Sequence, residues 1–138
     1  MNKLFSNSTV IITKNFDIHQ DWEIPIPGFF ILATQRKIKS IAEFTDDEAQ
    51  EYILLLRKLR QGMKEKLNIG EVYFFQNEDS SSGFHVWIFP RLEWMKKFGK
   101  KIQSVRPIME YAKEHMVTDE VIQQVEEYVK IMNEYMNY

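Results

Sequence analysis

Alternating apolar and polar positions predict a β-strand across residues 83–91, and this is the clearest short-range pattern in the chain. The alternation places His85, Trp87 and Phe89 on one face of the strand. The opposite face is wholly apolar and is expected to pack on a helix; its members are Phe84, Val86 and Ile88. Pro90 ends the pattern, because proline cannot donate to a hydrogen-bonded ladder. A buried strand gains nothing from a histidine that has no partner and no task, so His85 is the first candidate for chemistry.

Further apolar segments predict the rest of a sheet. A hairpin is predicted near the amino terminus with its turn at Lys14 and Asn15, after a loose arm of residues 1–8. Two prolines and Gly28 make residues 21–28 a loop. The predicted strands outside 83–91 cover residues 9–13, 16–19, 29–34 and 71–76. The third of these is almost continuously apolar, which indicates a strand buried on both faces.

Residues 46–67 have the spacing of a long amphipathic helix. Thr45 and Glu48 form a capping box at its start, and Phe44 and Ala49 stand where a hydrophobic staple would lie. Apolar residues recur at intervals of three and four, at Ala49, Tyr52, Ile53, Leu56, Leu59, Met63 and Leu67. Gly70 is the expected left-handed residue that ends the helix.

The carboxy-terminal residues are predicted to be helical. Gly99 is expected to break the backbone, and Pro107 suits the first turn of a helix that ends near Met116. Thr118 can cap a last helix with a broad apolar stripe. The stripe consists of Val121, Ile122, Val125, Tyr128, Val129, Met132, Tyr135 and Met136. Because it spans few turns, docking within or between subunits is favoured over a free coiled coil.

Together these elements predict an α+β fold in a chain of 138 residues, which is long enough for a sizeable core. An antiparallel sheet of about five strands is expected to pack against the long helix. The expected division is a domain of residues 1–98 and a helical extension, residues 99–138, docked on it.

Composition and charge exclude several classes of function. The chain has no cysteine, hence no disulfide and no thiolate, which fits a cytoplasmic protein. A net charge of −2, with lysine and arginine spread among acids, lacks the basic footprint of a nucleic-acid-binding protein. No apolar run approaches the ~18 residues of a membrane span, so no membrane partner is expected. The three histidines, His19, His85 and His115, exclude a His/Cys metal cluster, although a carboxylate site for magnesium stays open.

Three segments carry a resemblance to a known family. The predicted strand 83–91 ends in Pro90-Arg91. Residues 27–36 begin with Pro-Gly-Phe-Phe-Ile-Leu-Ala and end in arginine. Residues 41–48 have the sequence Ile-Ala-Glu-Phe-Thr-Asp-Asp-Glu. In this order they resemble the histidine triad (HIT) superfamily of nucleotide hydrolases and transferases, especially its diadenosine tetraphosphate hydrolase-type proteins. Asp21 lies six residues before Pro27, where the family often has an acid that binds ribose hydroxyls.

The family's strand carries three alternating histidines. Aligning Pro90-Arg91 with the Pro-Arg that often ends this strand puts His85 at the middle histidine, the family's nucleophile. Gly83 and Trp87 occupy the first and third positions, so the triad is reduced to one histidine. The Gly-Gln pair that precedes the family's motif is absent, and a run of serines stands before Gly83.

The resemblance implies a nucleotide hydrolase or nucleotidyl transferase that cleaves phosphoanhydride or phosphoramidate bonds, for example in dinucleoside polyphosphates. His85 would attack the α-phosphorus, and water would then hydrolyse the nucleotidyl-histidine. The candidate nucleotide- and phosphate-binding residues are Asp21, Asn77, Ser80, Ser82, Trp87 and Arg91. Of these, the serines are candidates because the N–H groups and hydroxyls of Ser80, Ser81 and Ser82 could form a small anion nest. Arg36 is a further candidate for phosphate charge, and the implied base slot consists of Phe16, Ile18, Trp22 and Phe29. No cofactor or metal is implied, and the expected assembly is a homodimer.

The residues at the degenerate positions affect the expected rate. The carbonyl of Gly83 can hold the ring N–H of a neutral His85, which leaves the other nitrogen free to attack. Trp87 can donate a hydrogen bond but cannot release a proton. Turnover is therefore expected to be slow or to need a leaving group that requires little protonation, since one acid/base contribution is typically ~10²–10⁴-fold.

Each candidate also has a purely structural explanation. His85 can be a hydrogen-bonded core histidine, Asp21 an ordinary turn acid, and Trp87 a packing residue that fills part of a pocket. The serines can form a plain loop, and His19 and His115 are expected on the surface. The alternative function is a catalytically weak or inactive nucleotide-binding or regulatory module on the same fold. An interaction protein that uses the carboxy-terminal stripe is a third hypothesis.

Overall fold

A five-stranded antiparallel sheet forms the centre of the computed structural model, which describes residues 4–5 and 7–137. The strands are β1 (Thr9–Ile12), β2 (Phe16–Gln20), β3 (Phe30–Thr34), β4 (Val72–Phe75) and β5 (His85–Pro90), in the order β1-β2-β3-β5-β4. The helices are α1 (Asp46–Leu67), α2 (Ile102–His115) and α3 (Asp119–Met136), with 3-10 helices at Ile41–Glu43 and Glu93–Phe98. The predicted α+β class and the amino-terminal hairpin are confirmed.

The wholly apolar face of β5 packs against α1 and α3, as its pattern predicts. Val86 and Ile88 belong to one buried cluster with side chains from both helices; the helical members include Leu59, Met63, Val129 and Met132. Burying a side chain of this size contributes about 1.5–3 kcal/mol. This layer fixes the orientation of β5 and leaves His85 on the other face of the sheet.

Helix α2 covers that other face only in part. The buried cluster on this side consists of Ile24, Ile26, Phe29, Ile31, Phe89, Met95, Val105, Ile108 and Ala112. His85 and Trp87 lie on the same face but are only half-buried. The first half of β5 is therefore accessible beside α2, and the second half is covered.

The start of α1 follows the predicted capping box. The backbone N–H of Glu48 donates to Thr45 Oγ1 at 3.1 Å, and the N–H of Thr45 donates to Glu48 Oε1 at 2.8 Å. Both helix bounds agree with residues 46–67. The pattern of apolar residues and the cap together were sufficient to place this element.

Three details of the α1 prediction are wrong. Leu55 is buried, whereas Ile53 is 58% exposed, because the helix packs against α3 as well as the sheet and its buried stripe is rotated. Ala49 is exposed and forms no staple. Asn68, rather than Gly70, takes the left-handed conformation that ends the helix, with φ 57°.

The predictions for the two ends of the chain also need correction. Phe5 is only 3% exposed, and the N–H of Leu4 donates to the carbonyl of Trp22, so these two residues are not a loose arm. Residues 1–3 and 6 of the predicted arm lie outside the described residues. Pro107 lies beyond the first turn of α2, because that helix begins at Ile102.

Helix α3 docks on α1 and on the edge strand β1. Asn133 Nδ2 donates to the Val10 carbonyl at 2.8 Å, and Lys58 Nζ donates to the Met136 carbonyl at 3.2 Å. Division of the chain at residues 98 and 99 stays a prediction. None of the helices in the described residues is long and apolar enough to span a membrane.

Candidate functional site

Strand pairing sets two rows of side chains on the face that α2 covers in part. Residues that pair in an antiparallel sheet project from the same face. The two rows are Asp17–Ala33–His85 and His19–Ile31–Trp87. The loop that follows β2 and the loop that precedes β5 both open onto this surface, so residues distant in sequence meet around His85.

The imidazole of His85 is held by one backbone acceptor. Its Nδ1 lies 2.9 Å from the carbonyl oxygen of Gly83. This contact assigns the proton of the neutral ring to Nδ1 and leaves the lone pair on Nε2. The sequence predicted this contact, because Gly83 has no side chain and offers only its backbone carbonyl to the ring N–H of His85.

Gly83 supplies that carbonyl from a positive-φ backbone conformation, which glycine adopts without strain. Its φ of +87° is disfavoured for residues with a side chain, and an added Cβ would lie 3.3 Å from the carbonyl oxygen of Ile38. The next residue, Phe84, donates its N–H to the same Ile38 oxygen at 2.6 Å. Glycine at this position therefore lets the chain turn into β5 and direct its carbonyl at the imidazole.

Two cavities flank His85 and Trp87, which line both. The first, about 360 Å³ in volume and here called the Asp21 cavity, lies over β2 and β3. Its other lining residues are Asp17, His19, Asp21, Trp22, Glu23, Ile31, Ala33 and Ser82. Three carboxylates give this cavity an acidic character that suits hydroxyl groups better than phosphate.

Asp21 is fixed at the mouth of the loop that follows β2. Its Oδ2 accepts hydrogen bonds from the N–H groups of Ile24 at 2.8 Å and Glu23 at 3.1 Å. Burial raises the pKa of the Asp21 carboxyl, although these two donors oppose the change. With Oδ2 engaged in this turn, Oδ1 is the oxygen that remains for a ligand.

His19 belongs to this cavity and not to the open surface that was predicted for it. Its side chain is 14% exposed, and its Nδ1 lies 2.8 Å from Asp17 Oδ1. The ring stacks on Trp22 with centroids 4.6 Å apart. The alternation of Asp17 and His19 along β2 already placed both on one face, which was the signal for this position.

The second cavity, about 500 Å³ in volume and here called the Arg106 cavity, lies between β5 and α2. Besides His85 and Trp87, its lining residues are Phe75, Gln76, Asn77, Ile102, Val105, Arg106 and Met109. An apolar wall with a few polar groups is the usual composition of a small-molecule site. Arg106 was not a candidate from the sequence, because only the packing of α2 brings it near the sheet.

Trp87 separates the two cavities without closing either. Its ring makes edge contacts with Phe29 and Phe75, at centroid distances of 5.4 and 6.3 Å. Both cavities reach His85 on either side of this indole. Trp87 is thus a packed aromatic wall between two accessible spaces.

The loop before β5 contributes to both cavities. Ser82 lines the Asp21 cavity, and Asn77 lines the Arg106 cavity. Ser80 lines neither, but its Oγ lies 2.7 Å from Ser82 Oγ and accepts the Ser82 N–H at 3.2 Å. Ser80 therefore shapes the loop that presents Ser82.

The two arginines predicted to hold phosphate are engaged elsewhere. Arg91 donates to the Gly99 carbonyl at 2.6 Å and to Ser104 Oγ at 3.3 Å, and it lines a separate cavity. Arg36 donates to Glu48 through Nε and Nη2 at 3.0 and 2.8 Å. The structure does not bring either guanidinium to His85, because each one ties a connecting segment to a neighbouring element.

The predicted base slot is only partly correct. Phe16 and Ile18 are fully buried on the α1 side of the sheet, so they cannot line either cavity. Phe29 is fully buried in the cluster under α2, and only Trp22 of the four lines the Asp21 cavity. Among the described residues, no group of three or more His, Cys, Asp or Glu side chains is arranged to hold a metal ion.

Comparison with known proteins gives matches in structure only. No family model matches the sequence, and no curated protein matches it. A hypothetical histidine triad nucleotide-binding protein from Sulfolobus tokodaii matches with a TM-score of 0.64 at 17% identity, over 94% of this chain and 83% of that one. A zinc-bound histidine triad family protein from Mycobacterium smegmatis gives 0.62 at 11% identity, over 96% and 86%. A HIT-family member from Bacillus subtilis gives 0.58 at 17% identity, over 91% and 87%.

Coverage of 91% or more of this chain extends the likeness beyond the segments that resemble the family in sequence. Helices α2 and α3 therefore take part in it as well as the sheet and α1. At identities of 11–17% the likeness concerns the fold and carries no residue roles. The chain has the histidine triad (HIT) fold.

Proposed function

We propose that the protein is a nucleotide hydrolase or nucleotidyl transferase that cleaves phosphoanhydride or phosphoramidate bonds through a covalent intermediate on His85. The observation that carries this proposal is the 2.9 Å contact between His85 Nδ1 and the Gly83 carbonyl, beside two cavities. A neutral imidazole with its proton held on one nitrogen presents the other as a nucleophile. The HIT fold supports the same assignment by analogy.

The reaction would proceed in two displacements at phosphorus. Nε2 of His85 forms a bond to the α-phosphorus while the bond to the leaving oxygen or nitrogen breaks. Water then attacks the same phosphorus, the P–N bond breaks, its electron pair returns to the ring, and a proton passes to solvent. Division of one difficult step into two is the benefit of covalent catalysis.

The nucleoside is proposed to bind in the Asp21 cavity. The carboxylate of Asp21 can accept from ribose hydroxyls, and Trp22 and Trp87 offer flat apolar surfaces for a base. Ser82 and Asn77 are proposed to donate to phosphate oxygens from either side of His85. Ser80 acts through Ser82, and Arg91 has no part in this site because its guanidinium is bound to Gly99 and Ser104.

A turnover screen with mass spectrometry tests the proposal. Dinucleoside polyphosphates and nucleoside phosphoramidates are incubated with the protein, and the reaction is quenched in denaturant. We expect a nucleotidyl adduct on His85 that is absent in His85→Ala, with turnover lost in the same variant. His115→Ala is the matched control, because that histidine is 57% exposed and lines neither cavity. Turnover that survives in His85→Ala would overturn the assignment.

A nucleotide-binding module without catalysis is the second candidate. Trp87 favours it, because an indole at the third triad position donates a hydrogen bond but cannot protonate a leaving group. Under this alternative, nucleotides bind the wild-type protein and Asp21→Asn weakens the binding. No substrate in the screen is then turned over, and no adduct forms on His85.

Two further properties are proposed from the likeness in fold and from composition. The expected assembly is a homodimer, and a nucleotide or dinucleoside polyphosphate is the expected ligand. A cytoplasmic location and the lack of nucleic-acid and membrane partners stay predictions.

A further inference from the structure

Hydrolysis of a nucleotidyl-histidine is faster when a nearby group accepts the proton of the attacking water. His85 cannot be that group, because its Nε2 would carry the phosphorus and its Nδ1 proton is held by the Gly83 carbonyl. Trp87 has an N–H donor but no basic atom. One base contributes typically about 10²–10⁴-fold to such a step. The titratable side chains that line the Asp21 cavity together with His85 are Asp17, His19, Asp21 and Glu23.

The register of the sheet places Asp17 in line with His85. Asp17 pairs with Ala33, and Ala33 pairs with His85, so all three project from the same face. Strands about 4.8 Å apart put the Cα atoms of Asp17 and His85 about 10 Å from each other. Ala33, between them, carries only a methyl group. The cavity that the three residues line therefore has room for a water molecule between the carboxylate and a phosphorus on His85.

His19 fixes the carboxylate of Asp17. Its Nδ1 lies 2.8 Å from Asp17 Oδ1, which assigns the proton of the neutral ring to Nδ1. The imidazole is itself held, since it is 14% exposed and stacks on Trp22 with centroids 4.6 Å apart. Within the described residues Asp17 Oδ2 has no hydrogen-bond partner. One oxygen of Asp17 is thus anchored, and the other is available to a water molecule.

The other two carboxylates of this cavity are placed differently. Asp21 and Glu23 follow the end of β2 and lie in a loop, so strand pairing does not align them with His85. Asp21 Oδ2 accepts the N–H groups of Ile24 and Glu23, and the side chain of Glu23 is exposed. Asp17 is the one of the three carboxylates that lies within a strand of the sheet.

We propose that Asp17 is the general base for hydrolysis of the nucleotidyl-histidine and that His19 is its positioning residue. This inference rests on the proposed function. Water attacks the α-phosphorus, and its proton moves to the Asp17 carboxylate. The P–N bond breaks, its electron pair returns to Nε2 of His85, and the proton then passes from Asp17 to solvent. A carboxylate has no proton to give, so Asp17 assists the entering water and not the leaving group.

Single-turnover kinetics separate the two displacements and test the inference. Diadenosine tetraphosphate and adenosine 5′-phosphoramidate are each mixed with excess protein, quenched in denaturant at successive times, and the nucleotidyl adduct is followed by intact-protein mass spectrometry. We expect Asp17→Asn to slow adduct hydrolysis by about 10²-fold or more and adduct formation far less, so that the adduct accumulates. Circular dichroism shows whether each variant is folded.

Two further variants and one added nucleophile make the test specific. His19→Phe keeps a ring against Trp22 but removes the N–H, and it should also accumulate adduct, to a smaller extent. Asp46→Asn is the control and should match the wild type, because Asp46 is exposed on α1 and lines neither cavity. Hydroxylamine attacks without help from a base, so its addition should remove the adduct from Asp17→Asn as fast as from the wild type.

The outcomes distinguish this inference from the proposed function. If Asp17→Asn slows both steps equally, or behaves like Asp46→Asn, the role of Asp17 is overturned while His85 stands as the nucleophile. If hydroxylamine does not clear the adduct from Asp17→Asn, the variant has a disturbed site and the assignment of a base is overturned as well. A His19→Phe variant that behaves like the control overturns the positioning role of His19. If neither substrate forms an adduct on wild-type His85, the proposed function fails and this inference fails with it.

Discussion

Under the proposed function, Trp87 limits which leaving groups the site can tolerate. Its indole lines both cavities and donates no acid proton, so a leaving group that departs as an amine would have to find its proton in solvent. We predict that Trp87→His raises phosphoramidate turnover relative to dinucleoside polyphosphate turnover by about 10²-fold, the lower end of a general-acid contribution. The ratio of kcat/KM values for the two substrates measures this change. Trp87→Phe removes the N–H without adding an acid, so an equal shift in that variant would contradict the prediction.

A second residue-scale prediction concerns Gly83, whose carbonyl oxygen accepts the hydrogen bond from His85 Nδ1. We predict that Gly83→Ala lowers the free energy of unfolding by about 1–3 kcal/mol, because a side chain is strained at φ +87° and its Cβ would crowd the Ile38 carbonyl. Turnover should fall as well, since the acceptor for His85 Nδ1 is displaced. Urea unfolding and kcat measure the two effects. Gly70→Ala is the control, because nothing lies within 4 Å of its added Cβ and its φ is not positive. If Gly83→Ala and Gly70→Ala change the free energy of unfolding and kcat by equal amounts, a side chain at position 83 does not strain the turn into β5.

At the scale of elements, the start of α1 gives stability that depends on pH. The Arg36 guanidinium, followed by the Thr45 N–H, lowers the pKa of Glu48 from 4.5 to about 2. Folding thus favours the ionised carboxylate, so its contribution is complete above pH 4.5 and is lost as pH falls towards 2. We predict that the Tm difference between wild type and Glu48→Gln is largest near pH 7 and shrinks across that interval. Thermal unfolding at several pH values measures it.

The matched control for Glu48 lies on the same helix. Glu65 is exposed and has no ionic partner in the described residues, so Glu65→Gln should change Tm little and by a similar amount at every pH. A Tm difference for Glu48→Gln that stays constant from pH 7 to pH 3 would show that the ion pair with Arg36 adds nothing to folding.

The contact between α1 and α3 depends on the absence of a side chain at Gly62. A Cβ there would lie 2.6 Å from ring carbons of Tyr135 and 2.8 Å from Met132 Cε. We predict that Gly62→Ala lowers the free energy of unfolding by about 1 kcal/mol, because overpacking outweighs the gain in helix propensity. In a Tyr135→Ala background the same change should become stabilising. A double-mutant cycle in urea measures the coupling, and additive effects would contradict the close approach.

The sequence identified elements whose cause is local. The bounds of α1 followed from a cap and a 3.6-residue period, and the orientation of β5 followed from a period of two. The prediction that Gly70 ends α1 was wrong because asparagine, here Asn68, also tolerates the left-handed conformation. The predicted buried stripe of α1 included Ile53, which is exposed, and left out Leu55, which is buried. The reason is that α3, distant in sequence, covers the helix from one side. Helix caps and hydrophobic periodicity depend on neighbouring residues and therefore do not predict contacts between elements that are distant in sequence.

The same distinction applies to the candidate site. The carbonyl of Gly83 lies two residues from His85, so its contact was predictable. Asp21 came from the resemblance and Ser82 from the anion nest expected in its loop, and the register of β2, β3 and β5 explains why they line one cavity with His85. Arg106 was missed and Arg91 was misplaced for one reason. The packing of α2 on the sheet decides which arginine lines a cavity with His85, and no short motif encodes that packing.

At the scale of the whole molecule, the strand at one edge of the sheet carries an exposed apolar side chain. Strand β4 ends the sheet, and Phe74 in it is 50% exposed although its pairing partner Ile88 is fully buried. Ile53 and Leu54, on the helix that packs on the same face of the sheet, are 58% and 56% exposed. Among the described residues β4 is paired on one side only, and an edge strand with an exposed apolar side chain favours pairing with another chain. A second copy of this chain, with β4 paired to β4, would satisfy this edge and cover Phe74.

We therefore predict that the protein is a homodimer and that Phe74→Lys converts it to a folded monomer. A lysine on an edge strand opposes pairing, and Phe74 contributes little to the core of its own chain because half of it is exposed. Light scattering after size-exclusion chromatography gives the mass, and circular dichroism shows whether the variant is folded. Ile12→Lys is the control, since Ile12 is 67% exposed on β1 at the opposite edge. A monomeric wild type, or dissociation by Ile12→Lys in place of Phe74→Lys, would contradict assembly through β4.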